Sequence, residues 1–126
     1  MTNSDRFERY LTCYASKDID SISEMFAEDV MLRDWKVFVS GKLNALVETK
    51  KNFANAGTIE IDILTRLESA DSIAGELKIT VDGSEVLLVV DVIKFDSSGL
   101  ISSIQAYIGR GNSCGGIDDC YSILEK

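Results

Sequence analysis

The sequence contains no histidine, and that absence removes whole classes of chemistry. Ser-His-Asp and Cys-His nucleophile arrangements cannot be assembled within the chain, nor can an HExxH zinc site. Acid–base work must fall to carboxylates, tyrosines, lysines or cysteines. Cysteine is scarce: Cys13, Cys114 and Cys120 are odd in number and too widely spaced for a disulfide framework, which fits a reducing compartment. No apolar run approaches the roughly eighteen residues of a membrane span, and MTNSDRFERY is too polar for a secretory signal. A cytoplasmic protein is expected. Positive charge is also in short supply. Lys and Arg total 13 against 21 Asp and Glu, and the formal charge of −8 argues against nucleic acid and anionic membrane as partners.

What is present describes an ordinary globular domain. At 126 residues, with 45% hydrophobic and 27% charged content, the chain is one domain by length. About two-thirds of its unfolded surface should be buried on folding. The most apolar stretch is SEVLLVVDVIKFD, residues 84–96. Val86, Leu87, Leu88, Val89, Val90, Val92, Ile93 and Phe95 crowd into it, and the β-branched types suit a strand covered on both faces. Asp91 interrupts the run. An ionised carboxylate in such a place must be paired, hydrogen-bonded or neutral, because burying it bare is costly. Such a conflict between pattern and side chain marks a functional site, or else an Asp at a sheet edge or bonded to backbone amides.

The rest of the chain arranges itself around this strand. Asn3 or Ser4 can cap a first helix, whose stripe is Phe7, Tyr10, Leu11 and Tyr14, with Asp5 and Arg9 paired outside. Asp18 or Ser21 starts a second helix, Ser21 and Glu24 reading as a capping box, with Ile22, Met25 and Phe26 buried. Residues 30–39 read as one strand, and period two sets Asp34 on the face of Val30 and Leu32. Asp34 then faces an apolar interior, or else lies at a strand end in solvent beside Arg33. A third helix carries Leu43, Leu46, Val47 and Phe53 and ends at Asn55-Ala56-Gly57. Four strands follow: Ile59, Ile61, Ile63 and Leu67 mark the first, Ile73, Leu77, Ile79 and Val81 the second. Asp82-Gly83 is a hairpin signal into the Asp91 strand, and Ser97-Ser98-Gly99 turns that strand into the last. Helices gathered on one face of a bent antiparallel sheet make an α+β fold. Residues 111–126 read as a Gly-, Ser- and Asp-rich tail on a domain of residues 1–110, with Ile117, Tyr121, Ile123 and Leu124 able to dock on the body. The GRGNSC fragment lacks a dinucleotide fingerprint, and the Cys114–Cys120 spacing matches no standard metal site.

Two segments, RYLTCYASKDIDSISEMFAEDVMLRDW (9–35) and VVDVIKFDSSGLISSIQAYIG (89–109), resemble the nuclear transport factor 2-like superfamily, which includes SnoaL-like cyclases and ketosteroid isomerases. The resemblance implies a cone-shaped (cystatin-like), strongly curved antiparallel sheet, three N-terminal helices enclosing a pocket, and a homodimer through the outer sheet face. Laid on the ketosteroid isomerase pattern, Tyr10 falls at an oxyanion-hole tyrosine, Asp34 at the general base, and Asp91 at a second, protonated donor. Trp35 stands where that family usually has Pro, and Phe26 and Thr49 fall at the places of companion tyrosines. Trp35, Phe53, Val89 and Tyr107 are expected to contact an apolar small molecule. Neither a metal nor a cofactor is expected. The reading is an enzyme of carbonyl-adjacent proton transfer, by isomerisation or cyclisation; a non-catalytic ligand binder or a protein-interaction domain of the same fold stands beside it.

Overall fold

The computed structural model describes residues 1–109, so the tail expected over 111–126, with its docking residues and cysteines, lies outside the described residues. Thr2 caps α1 (Asn3–Ala15) in a reciprocal box with Asp5: the Thr2 hydroxyl accepts from the Asp5 N–H at 3.1 Å, and the Asp5 carboxylate accepts from the Thr2 N–H at 3.0 Å. The cap therefore lies one residue upstream of Asn3, and Asp5 serves it instead of Arg9. Asp18 caps α2 (Ile19–Met25), accepting from the Ser21 N–H at 3.1 Å and its hydroxyl at 2.6 Å. Ser21 thus serves the cap from inside the helix and does not start a second box with Glu24.

The first strand departs from the sequence reading at both ends. β1 (Phe26–Arg33) starts at Phe26, which is buried in the strand and not on the helix. It stops at Asp34, whose carboxylate Oδ1 accepts from the N–H groups of Lys36 (2.7 Å) and Val37 (2.9 Å). A short polar side chain that satisfies nearby amides competes with the sheet ladder, so the chain turns. β2 (Phe38–Ser40) then returns antiparallel to β1, with Leu32 opposite Val39. The run 30–39 is a hairpin and not a single strand.

After α3 (Lys42–Asn55) come β3 (Ile59–Glu68), β4 (Ser72–Val81), β5 (Glu85–Phe95) and β6 (Ile101–Ile108), the last three each pairing antiparallel with the one before. Asp82 and Gly83 have φ of 54° and 71°, the left-handed backbone of a tight turn, in a three-residue loop (82–84) between Val81 and its strand partner Glu85. The sheet order is β2-β1-β6-β5-β4-β3, and β1 lies parallel to β6. The sheet is therefore mixed: α3 and four strands separate β1 from β6 in the chain, so no hairpin sets their relative direction. Bulges in the β1–β6, β3–β4 and β5–β6 ladders bend it. The helices pack on its inner face over a core of Phe7, Ile22, Phe26, Ile73, Leu77 and Ile93.

Two expectations about faces are corrected. The bulge between Ile63 and Thr65 shifts β3 by one residue, which puts Leu67 outside at 70% exposure and turns Arg66 toward α1. Arg66 there donates to Ser4 Oγ (2.7 Å) and to Glu8 Oε1 (3.2 Å). Among the described residues, β5 is covered on one face only. Leu88 and Val90 stand about 40% exposed on the other (41% and 38%).

Candidate functional site

Strand alternation on β5 sends Leu87, Val89, Asp91 and Ile93 inward. β5 is an interior strand, and the residues opposite Asp91 are Gly75 on β4 and Ala106 on β6. Small neighbours on both sides leave open space above the carboxylate. Phe7 of α1 occupies part of that space, since a Cβ on Gly75 would lie 2.2 Å from Phe7 Cζ. One and two turns further along the same stripe stand Tyr10 and Tyr14. The close approach of α1 at Gly75 thus brings two phenols over the Asp91 region of the sheet.

The result is a cavity of about 260 Å³, at the lower end of the range for small-molecule sites (~300–1,000 Å³). Its deep part holds Asp91, Tyr10 and Val89, with Leu32 and Ile104 as apolar wall. Its mouth is formed by Asp34 and Trp35 from the β1–β2 turn and by Asn52 from α3. Asp91 is 9% exposed and has no side-chain hydrogen bond among the described residues. Neither structural alternative for it holds among the described residues: β5 is no edge, and no backbone amide there bonds the carboxylate. Burial, and secondarily the charge of Asp34, push its carboxyl from 3.8 up to about 7.

Tyr10 is 4% exposed, and burial first, then Tyr14 and Asp91, push its phenol well above 10. Both groups are thereby biased toward their neutral, hydrogen-bond-donating forms. Asp34 shows part of each sequence alternative. It lines the cavity and acts electrostatically on Asp91, yet it is half-buried and holds its own turn through Oδ1. The second oxygen, Oδ2, has no hydrogen bond among the described residues.

The structure brings Tyr10, Asp34, Trp35, Val89 and Asp91 together around one cavity. Phe53 is not part of its lining; it is buried edge-on against Tyr14, ring centres 4.9 Å apart. Tyr107 lies on the opposite face of the sheet, paired with Val90, its hydroxyl 2.7 Å from Gln105 Oε1. One residue of strand register separates it from the inward face. Tyr14 and Asn52, absent from the sequence reading of the site, are in the lining, with the Asn52 amide donating to the Tyr14 phenol oxygen at 3.1 Å. Tyr14 was visible as a member of the α1 stripe but reads there as core; a polar residue late on an amphipathic helix, as Asn52 is, reads as solvated. Thr49 presents no free hydroxyl proton, because it donates to the Ala45 carbonyl at 2.8 Å. Among the described residues, no cluster of three or more Cys, Asp or Glu could hold a metal ion.

No protein-family model matches the chain, and no curated protein matches it by sequence. Its structure is similar to an NTF2-like protein of unknown function from Cytophaga hutchinsonii (TM-score 0.73, 11% identity, 86% of this chain and 91% of that one). It is also similar to a candidate ketosteroid isomerase from Kribbella flavida (TM-score 0.72, 18% identity, 82% and 75%). A computationally designed 17-OHP binder gives a like match (TM-score 0.72, 16% identity, 82% and 90%). At these identities the likeness establishes the fold: three helices on a curved, mixed six-stranded sheet, the NTF2-like cone.

Proposed function

We propose that the protein is an enzyme that moves a proton next to the carbonyl of an apolar small molecule, by isomerisation or by a related cyclisation. The observation that carries this reading is Asp91: a buried carboxyl without a hydrogen-bond partner among the described residues, inside a cavity, raised to about 7. In its neutral form it donates one hydrogen bond to a substrate carbonyl, and Tyr10 donates a second. Asp34, through Oδ2, removes a proton from the adjacent carbon and returns it further along the conjugated enolate. Preorganised donors of this kind in a dry site are worth about 3–4 kcal/mol each to the transition state. Base and donor need opposite protonation states, and the apolar depth favours the neutral form of Asp91, while Asp34 sits at the mouth accepting two amide bonds.

The test is turnover of a β,γ-unsaturated ketone, offered as a steroid and as a two-ring compound because the cavity is small, followed by the absorbance of the conjugated product. Wild type should convert at least one, and Asp34→Asn should lose turnover by about a thousandfold or more while keeping affinity. Activity should fall above about pH 7 as Asp91 ionises and ceases to donate. Turnover that survives in Asp34→Asn removes the base assignment.

One observation favours a second reading, a binder without turnover. Asp34 already serves its own turn through Oδ1. In that case Asp34→Asn and Asp91→Asn change affinity only. In either reading the assembly is a cytoplasmic homodimer joined through the outer sheet face, as the family resemblance implies.

A further inference from the structure

Tyr14 differs from an ordinary core tyrosine in how it is held. Its ring lies between Tyr10 (centres 5.9 Å apart, planes at 58°) and Phe53 (4.9 Å, 73°), so both sides of the side chain are fixed. Its phenol oxygen accepts from the Asn52 amide at 3.1 Å. A phenol has one proton to donate, and with Asn52 supplying the bond to the oxygen, that proton remains for the cavity that Tyr14 lines. Burial, opposed by the Asn52 bond and reinforced by Asp91 and Asp34, pushes the group up to about 12, so it keeps its proton across the physiological range. Nothing in the proton-transfer chemistry above uses it.

We infer that Tyr14, oriented by Asn52, is a specificity-determining donor that selects ketones carrying a second oxygen function. The inference rests on the ligand reading above and narrows its substrate class. Tyr10 and Asp91 take the reacting carbonyl, and Tyr14 takes a hydroxyl or carbonyl oxygen elsewhere on the same molecule. The Tyr10 and Tyr14 rings pack side by side with centres 5.9 Å apart, so the two phenols serve neighbouring parts of one ligand. We place the second oxygen on the ring fused to the one that bears the carbonyl. A two-ring ketone of this kind also suits a cavity of about 260 Å³. Discrimination follows from an unpaired donor: a ligand without the second oxygen strips water from the Tyr14 hydroxyl and returns nothing.

The chain contains one tryptophan, Trp35, and it lines the cavity mouth, so its emission reports occupancy. The probes are a methyl-substituted bicyclic enone with a single carbonyl and the same bicycle with a second ketone on its far ring. Wild type should bind the diketone about tenfold or more tighter than the monoketone. Tyr14→Phe keeps the ring between Tyr10 and Phe53 and should abolish that preference, weakening the diketone and tightening the monoketone, which no longer strips water from an unanswered hydroxyl. Asn52→Leu, at an exposed helix position, should reduce the preference without affecting folding. Equal wild-type affinity for the two probes overturns the inference and leaves the ligand reading standing. So does a Tyr14→Phe variant that weakens both probes alike, which is the mark of a structural ring. A wild type that responds to neither probe overturns both.

Discussion

At the scale of the residue, the energetics of Asp91 run opposite to those of most carboxylates. Its folded value of about 7 lies above the unfolded 3.8, so folding takes up a proton at any pH between the two. Stability is unpenalised below about pH 4 and declines through the window to pH 7. Above that the penalty is constant, on the order of 4 kcal/mol for a shift of this size. Asp91→Asn keeps the shape and removes the charge. Its stability relative to wild type should therefore be near zero at pH 4, rise between pH 4 and 7, and level off at pH 8. Denaturant unfolding of both proteins at four or five pH values measures this directly. A difference that stays flat with pH, or a variant that fails to fold, would show that the carboxylate is ionised and paired, and would end its role as a donor. The conflict between Asp91 and its apolar neighbours was legible in the sequence. That its neighbours across the strands are Gly75, which admits Phe7, and Ala106, which lines the cavity, depends on register and was not.

At the scale of the element, the site depends on how closely α1 approaches the sheet. Gly75 permits that approach, with Phe7 filling the place of its missing side chain. Gly75→Ala would set a methyl 2.2 Å from Phe7 Cζ, with Phe7 wholly buried and unable to swing away. The expected cost is about 1–3 kcal/mol of stability. Because Tyr10 follows Phe7 on the helix, activity should fall in a variant that still folds, measurable as a lower kcat below its melting transition. Unchanged stability would mean that α1 is not seated there. Element types and order were readable from periodicity, and most of the helical stripes and inward strand faces follow it. Two failures are local in origin. The Asp34 turn ends β1 and breaks residues 30–39 into a hairpin, and the β3 bulge between Ile63 and Thr65 flips the later side chains of its strand. Leu67 and Arg66 exchange faces for that reason alone.

At the scale of the whole molecule, the outer face of the sheet stands out. Met31, Leu88, Val90 and Tyr107 are exposed there by 38–54%, on a chain that otherwise carries a net charge of −8. A face of this kind fits an interface between two copies. Wild type should sediment at about twice the 13.9 kDa chain mass, and Leu88→Lys, which sets a charge in the middle of that face, should bring it to the monomer mass with the cavity intact. A wild type that sediments as a monomer at micromolar concentration rejects the dimer. Among the described residues, no helix is long and apolar enough to cross a membrane.

The sequence by itself determined the α+β class, the order of the helices and the four-strand meander, because hydrophobic period and turn chemistry are local properties of the chain. It also singled out Tyr10, Asp34 and Asp91, partly by pattern and partly by family resemblance. Only the tertiary structure decided that β1 runs parallel to β6, that Tyr107 and Phe53 lie outside the cavity, and that Tyr14 and Asn52 meet across 38 residues within it. Those outcomes depend on where distant elements pack, and a contact between residues far apart in the chain leaves no mark on the residues beside either of them.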